Sequence, residues 1–314
     1  MTQPPVLASV ALRLLEQAGS CGGEAAARRV WPRLVALHRW FHEERDPEGR
    51  GLVVSVHPWE TGMDDSPAWD EPLARVAPRP GPRTPAGRRP AAGAYPRYLA
   101  LVAELRQARY DSAALLRRGS FRVADVCTNA VLARSDADLA RLGKRLGADP
   151  ADITAAEEWA GRSAAGLASL WDEGGHFLSR DLVAGRPLPC ATGASFLGLW
   201  AGTATASQVE RLVGRLEGWG TGLHPVASCD PSAPPFDPAG FWRGSVWVNL
   251  NWMVAEGLRE HGEHELSGRI ARETRAVIEG AGMREHFDAR TGAGLGAPDF
   301  SWTAALARWW LEME

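Results

Sequence analysis

The chain has 314 residues, 45% of them hydrophobic, enough for one large core or two ordinary domains, which excludes disorder as the global state. Its 35 Lys and Arg against 38 Asp and Glu leave a formal net charge of −3, so no basic footprint for nucleic acid or an anionic lipid surface is present. Nor does any apolar run reach the roughly 18 residues of a membrane span.

In chain order, helical periodicity dominates. The opening MTQPPVLASVALRLLEQAG has no basic start, and Arg13 and Glu16 interrupt its apolar run, so it reads as an amphipathic helix at 6–17 and not as a signal peptide. A cytoplasmic protein is the expectation. Residues 28–45 put Val30, Leu34, Leu37 and Phe41 on one stripe, with Pro32 in the tolerated first turn. Similar patterns recur at 96–109, 122–147, 153–172, 192–202, 206–216, 241–261, 264–281 and 300–313. Asp149 with Pro150, or Asp152 slightly later, supplies the cap before 153–172. No convincing period-two strand is found, so the expected class is all-α.

Tight connectors alternate with long ones rich in Pro, Gly and aromatic residues, at 46–95, 173–192, 217–240 and 286–300. Helical hairpins with elaborate loops at one end fit an α/α toroid whose loops build the mouth of a pocket. The Pro- and Gly-rich stretch 76–97 reads as a mobile loop of a single domain spanning 1–314, because the segments on either side of it belong to one site.

Four cysteines lie far apart, with no CxxC pair and no His at ligand spacing, so reduced thiols are expected, with no metal and no cofactor. Fourteen Trp outnumber the eight Phe and three Tyr together. Indoles serve crowded helical cores and the C–H faces of sugars alike. Three segments concentrate the chemistry. HPWETGMDDSPAWD (57–70) sets two Trp beside Glu60, Asp64, Asp65 and Asp70, the mixture that sugar hydrolysis uses, although acids in such a loop also cap helices. FDPAGFWRGSVWVNLNWMVAEGL (236–258) crowds Trp242, Arg243, Trp247, Asn249 and Trp252 at the start of an apolar helix. MREHFDARTGAGLGAPDFSWTAALARWW (283–310) carries Glu285 before a Gly-spaced turn, and its GAGLG lacks the strand and the GK[ST] of a phosphate loop.

Taken together, HPWETGMDDSPAWD, FDPAGFWRGSVWVNLNW and EHFDARTGAGLGAPDFSWTAA, supported by LWDEGGHFLSRDL (170–182), resemble glycoside hydrolase family 63, most closely its bacterial mannosylglycerate and glucosylglycerate hydrolases. The resemblance implies an (α/α)6 toroid and inverting hydrolysis of an α-glycosidic bond in a small, anionic glycoside. It places Asp64 at the general acid and Glu285 at the general base. Trp59, Phe241, Trp242 and Trp247 fall on positions that line the sugar pocket. Phe241 stands where Tyr is usual, and Asp65 where Asn is common. Glu60, Arg243 and Trp302, carried by the same strings, complete the expected binding set. Arg97, with Arg88 and Arg89 behind it, is the candidate partner of a substrate carboxylate. The competing class is a catalytically silent carbohydrate-binding chain with the same aromatic pocket.

Only two helices precede the acid motif, where the family has several, so the toroid is expected to be incomplete at its N-terminus. An inner helix is apolar on two sides, and losing its neighbour leaves an open edge, so the chain alone is expected to dimerise, with a second copy covering that edge, to aggregate, or to unfold at low temperature.

Overall fold

The computed structural model describes residues 1–17, 22–80, 93–220 and 222–311. Its helices are α1 (Leu7–Gln17), α2 (Gly22–Glu44), α3 (Asp70–Ala74), α4 (Tyr95–Gln107), α5 (Ser112–Arg118), α6 (Val126–Leu146), α7 (Pro150–Ala168), α8 (Leu197–Trp200), α9 (Ala206–Trp219), α10 (Val248–Glu260), α11 (His264–Ala281) and α12 (Ser301–Leu306). Two kinds of helix alternate. In α6 and α10 nearly every residue is buried, whereas α9 and α11 bury one stripe: Val209, Leu212 and Leu216 in the first, Leu266, Ile270, Val277 and Ile278 in the second. A helix buried all round needs neighbours on every side, and an amphipathic one needs a neighbour on a single side. Accordingly α6 packs against α1, α2, α7 and α8, and α10 against α8, α11 and α12. Thus helices buried all round are lined by amphipathic ones, the arrangement expected of inner and outer layers.

Helix α1 is apolar on two faces. Ala8, Leu12 and Leu15 are buried, while Leu7, Val10 and Leu14 stand 56%, 42% and 58% exposed. Its Arg13 reaches Glu256 of α10 at 2.9 Å and lies over the rings of Trp252 and Trp309.

Several boundaries differ from those read off the sequence. Helix α2 begins at Gly22, so Pro32 lies in its interior and not in its first turn. The lost hydrogen bond is tolerated because Trp31, Leu34 and Val35 pack with Leu139, Leu142 and Trp159 of α6 and α7. A buried polar knot joins the same three helices: His38 Nδ1 and His42 Nε2 stand 2.6 and 3.0 Å from the two Asp136 carboxylate oxygens, and the Ser163 hydroxyl donates to that carboxylate. Asp149 caps α7, accepting from the Ala151 amide at 2.8 Å.

Short strands are added to the expected helices. Seven two-residue strands occur among the described residues: β1 (Val123–Ala124), β2 (Trp171–Asp172), β3 (His176–Phe177), β4 (Arg180–Asp181), β5 (Arg186–Pro187), β6 (His286–Phe287) and β7 (Gly294–Leu295). They pair antiparallel as β1-β4-β5, β2-β3 and β6-β7. Two residues are too few to show a period of two. They staple the long connectors to the helix ends, and the chain remains helix-rich. Most of the stretch 76–97, with Arg88 and Arg89, lies outside the described residues.

Candidate active site

The 57–70 loop is fixed from below. His57 accepts the Trp59 amide on Nδ1 at 3.0 Å, and its Nε2 stands 3.2 Å from the Tyr98 carbonyl, so the ring is neutral with its proton on Nε2. Burial depresses its pKa to about 4, which keeps it neutral at ordinary pH. Glu60 is fully buried. Arg45 donates to both of its oxygens at 2.8 Å, the Val56 amide donates at 2.9 Å and the Thr2 amide at 3.1 Å. The Glu60 carboxylate, expected in the binding set, is thus held as the buried anchor of the loop.

Above that anchor, Gly62 takes φ +73°, which turns the chain toward Met63 and Asp64. The Trp69 indole donates to the Met63 carbonyl at 2.7 Å and the Tyr98 hydroxyl to the Asp64 carbonyl at 3.2 Å. Asp64 itself is half-buried and Asp65 buried. Tyr98 is held protonated well above the usual tyrosine range, first by burial and then by the charges of Asp65, Asp64 and Asp70. Those three carboxylates thus share one neighbourhood around Tyr98. Ser66 caps the turn at Pro67–Trp69, and Asp70 opens α3, so part of the loop does cap helices.

Segment 236–247 is not the start of a helix, as expected, but a turn-rich stretch that ends where α10 begins at Val248. Trp242 and Trp247 stack with centroids 4.1 Å apart and planes at 3°. His286 lies nearly parallel to Trp247 at 5.3 Å, and Phe241 meets both Trp247 and His286 edge-on. Trp247 is covered by these rings and 2% exposed, so it supports the wall and presents no open face. Its indole donates to the Phe241 carbonyl at 2.8 Å. Trp59, by contrast, is half-buried and packs edge-on to Tyr98.

Glu285 precedes β6. Its backbone amide bonds the Ala297 carbonyl at 3.0 Å, and its Oε2 accepts the Ala297 amide at 3.1 Å. Gly296, at φ +67°, approaches this carboxylate so closely that a Cβ there would lie 2.4 Å from Oε2. Phe287 pairs with Val246, which ties the Glu285 strand to the aromatic segment.

Arg243 ties that same segment to the acid loop. It donates to Asp70 through both terminal nitrogens, at 3.0 and 2.6 Å, and approaches the Asp65 carbonyl at 3.4 Å. The three segments singled out in the sequence are thus brought together through one strip of chain. Two predicted residues stand apart from it. Arg97, in the first turn of α4, is half-buried and donates to the Gly93 carbonyl at 2.9 Å. Trp302 is 53% exposed, its ring against Phe300. Sequence reasoning missed Tyr98, His286 and the Arg45 partner of Glu60. Of these, only His286 carried a signal, as the neighbour of Glu285.

Layered helices carrying two carboxylate-bearing loops, stacked rings and an arginine clamp at one strip define a helical glycoside hydrolase. Residues 1–303 match the family model of the mannosylglycerate hydrolase MGH1-like glycoside hydrolase domain, and the chain belongs to that family. It is 43% identical over 321 residues to a mannosylglycerate hydrolase of Thermus thermophilus, covering 99% of this chain and 77% of that protein. It is also 33% identical over 333 residues to a glucosylglycerate hydrolase of Mycolicibacterium hassiacum, covering 99% and 75%. The crystal structure of a GH63 mannosylglycerate hydrolase from Thermus thermophilus in complex with Tris and D-glycerate superposes with a TM-score of 0.94 at 43% identity, covering 99% of this chain and 77% of that one. Among the described residues no helix is long and apolar enough to cross a membrane. No cluster of three or more His, Cys, Asp or Glu that could hold a metal ion occurs among them either.

Proposed function

We propose that the chain hydrolyses the α-glycosidic bond of mannosylglycerate or glucosylglycerate with inversion, Asp64 protonating the leaving oxygen and Glu285 deprotonating the attacking water. One observation carries this reading: the strip 241–247 is bonded through Arg243 to the loop of Asp64 and through Val246 to the strand of Glu285. An inverting glycosidase requires two carboxyls flanking the scissile bond at roughly 6.5 to 9.5 Å, and this strip ties together the two segments that carry them. Half-buried Trp59 supplies apolar surface for the sugar, and the stacked Trp242 and Trp247, 3% and 2% exposed, back the wall behind it. The named relatives favour a glycosylglycerate, and their two sugars are the two choices. Proton NMR during turnover of each compound tests it: the first-formed sugar is the β anomer. An α anomer as first product overturns the inverting assignment, and turnover of neither compound overturns the substrate.

The exposed apolar stripe Leu7, Val10 and Leu14 of α1 is, in the same reading, covered by a second copy of the chain. Light scattering after size exclusion is expected to give a dimer. Leu14→Glu, which sets a charge on the covered stripe, shifts it to monomer. A monomeric wild-type chain at micromolar concentration with full hydrolytic activity overturns this reading.

A further inference from the structure

We propose that Cys190 and Cys229 form a thiol pair that peroxide oxidises to an intramolecular disulfide, fastening the acid-bearing half of the site to the aromatic half. Their sulfurs lie 3.9 Å apart on facing extended segments. Thr192 pairs antiparallel with Cys229, the Asp230 amide donates to Ala191 at 3.1 Å, and the Gly193 amide donates to Ser228 at 3.0 Å. The backbone is therefore held in place around the pair, and side-chain rotation is what must bring the sulfurs to about 2.05 Å.

The two thiols differ in access. Cys190 is half-buried, and its neighbours Pro189 and Ala191 line a cleft of about 530 Å³ together with His176 and Asp230. Cys229 is fully buried. A hydrogen bond from the Cys229 thiol holds the Cys190 pKa below the ordinary cysteine value, and the same bond, with burial, raises that of Cys229. Arg243 also favours the Cys190 thiolate, while Asp70 and Asp230 oppose it. Cys190 is thus the attacking thiol and Cys229 the resolving one.

The chemistry closes without any other reactant. The Cys190 thiolate attacks one peroxide oxygen, an S–O bond forms and the O–O bond breaks, and the departing hydroxide takes up the thiol proton as water. The Cys229 sulfur then attacks the sulfenic sulfur, the S–S bond forms and the S–O bond breaks. Hydroxide leaves and takes the Cys229 proton. Two thiols lose two electrons and peroxide becomes two waters.

The bond would join two structural halves. Cys190 packs against the cluster of Ala68, Trp69 and Tyr98, and Tyr98 holds the Asp64 carbonyl. Cys229 follows Ser228, whose hydroxyl accepts the Gly244 amide and whose amide donates to Ser245, inside the aromatic strip.

The test uses the full chain, hydrogen peroxide and no denaturant, followed by unfolding, alkylation and intact mass. The expected result is the loss of two alkylatable thiols and about 2 Da, reversed by dithiothreitol, with Cys190 and Cys229 in one crosslinked peptide. The oxidised chain melts about 5 °C higher, because the crosslink closes a loop of about 40 residues. Cys190→Ser and Cys229→Ser each abolish the loss, and Cys127→Ser retains it. The wild-type mass alone decides the chemistry, whatever the variants' folding, and it is independent of the hydrolase reading. Two free thiols at these positions after peroxide, or a crosslink between other cysteines or between chains, overturns the proposal.

Discussion

Asp64→Asn and Glu285→Gln are each expected to lower kcat on a glycosylglycerate by about 10³-fold, near 4 kcal/mol of barrier, with KM changed little. Each amide keeps the shape of its carboxyl and loses its proton chemistry. The two losses differ in kind, which separates the roles. The acid matters in proportion to how poor the leaving group is, so a glycosyl fluoride, whose departing fluoride needs little protonation, restores turnover to Asp64→Asn. The same substrate does nothing for Glu285→Gln, because water must still lose its proton. Rescue of both variants, or of Glu285→Gln alone, would show the assignment reversed or wrong. Gly296→Ala serves as an intermediate case: its methyl would crowd Oε2 of Glu285, so it lowers kcat without removing any ionisable group.

How much of this was legible in the sequence depends on what encodes each feature. The long helices were legible because their burial follows the helical period, as in α9 and α11, whose buried stripes are continuous. Strands of two residues carry no period, so β1 to β7 were invisible. The stretch 241–247 reads as helix because Trp242, Trp247 and Trp252 look like a buried face. Gly240 and Gly244 allow a tight turn instead, in which a Cβ at Gly244 would lie 2.3 Å from the Asp237 carbonyl oxygen. Chemical composition marked the three site segments, since carboxylates and indoles crowd each other there. Composition does not say which carboxylate faces solvent and which faces an arginine. Asp70 and Glu60 stand in the same string as Asp64, yet each is held by a guanidinium from elsewhere in the chain, Arg243 173 positions away and Arg45 15 positions away. Only a three-dimensional contact sorts them.

Glu60 therefore gives the sharpest test of the difference between motif and structure. Its carboxylate and the Arg45 guanidinium form a buried pair with two bonds of 2.8 Å, and the Val56 and Thr2 amides take up the remaining acceptor capacity. Glu60→Ala leaves Arg45, 4% exposed, as an uncompensated buried charge. Breaking one partner of such a pair costs about 3 to 5 kcal/mol, a loss of about 5 to 8 °C in melting temperature for a chain of this size. Replacing both partners, Arg45→Met with Glu60→Leu, removes the stranded charge and is expected to recover most of that loss, because apolar side chains of similar volume often substitute for a buried ion pair at little cost. A substrate-binding Glu60 would behave in the opposite way: Glu60→Ala would raise KM at nearly constant melting temperature, and the double variant would bind no better than the single one. Thermal melts and steady-state kinetics on the three proteins separate the two outcomes, and a single variant that melts with the wild type would return Glu60 to the sugar.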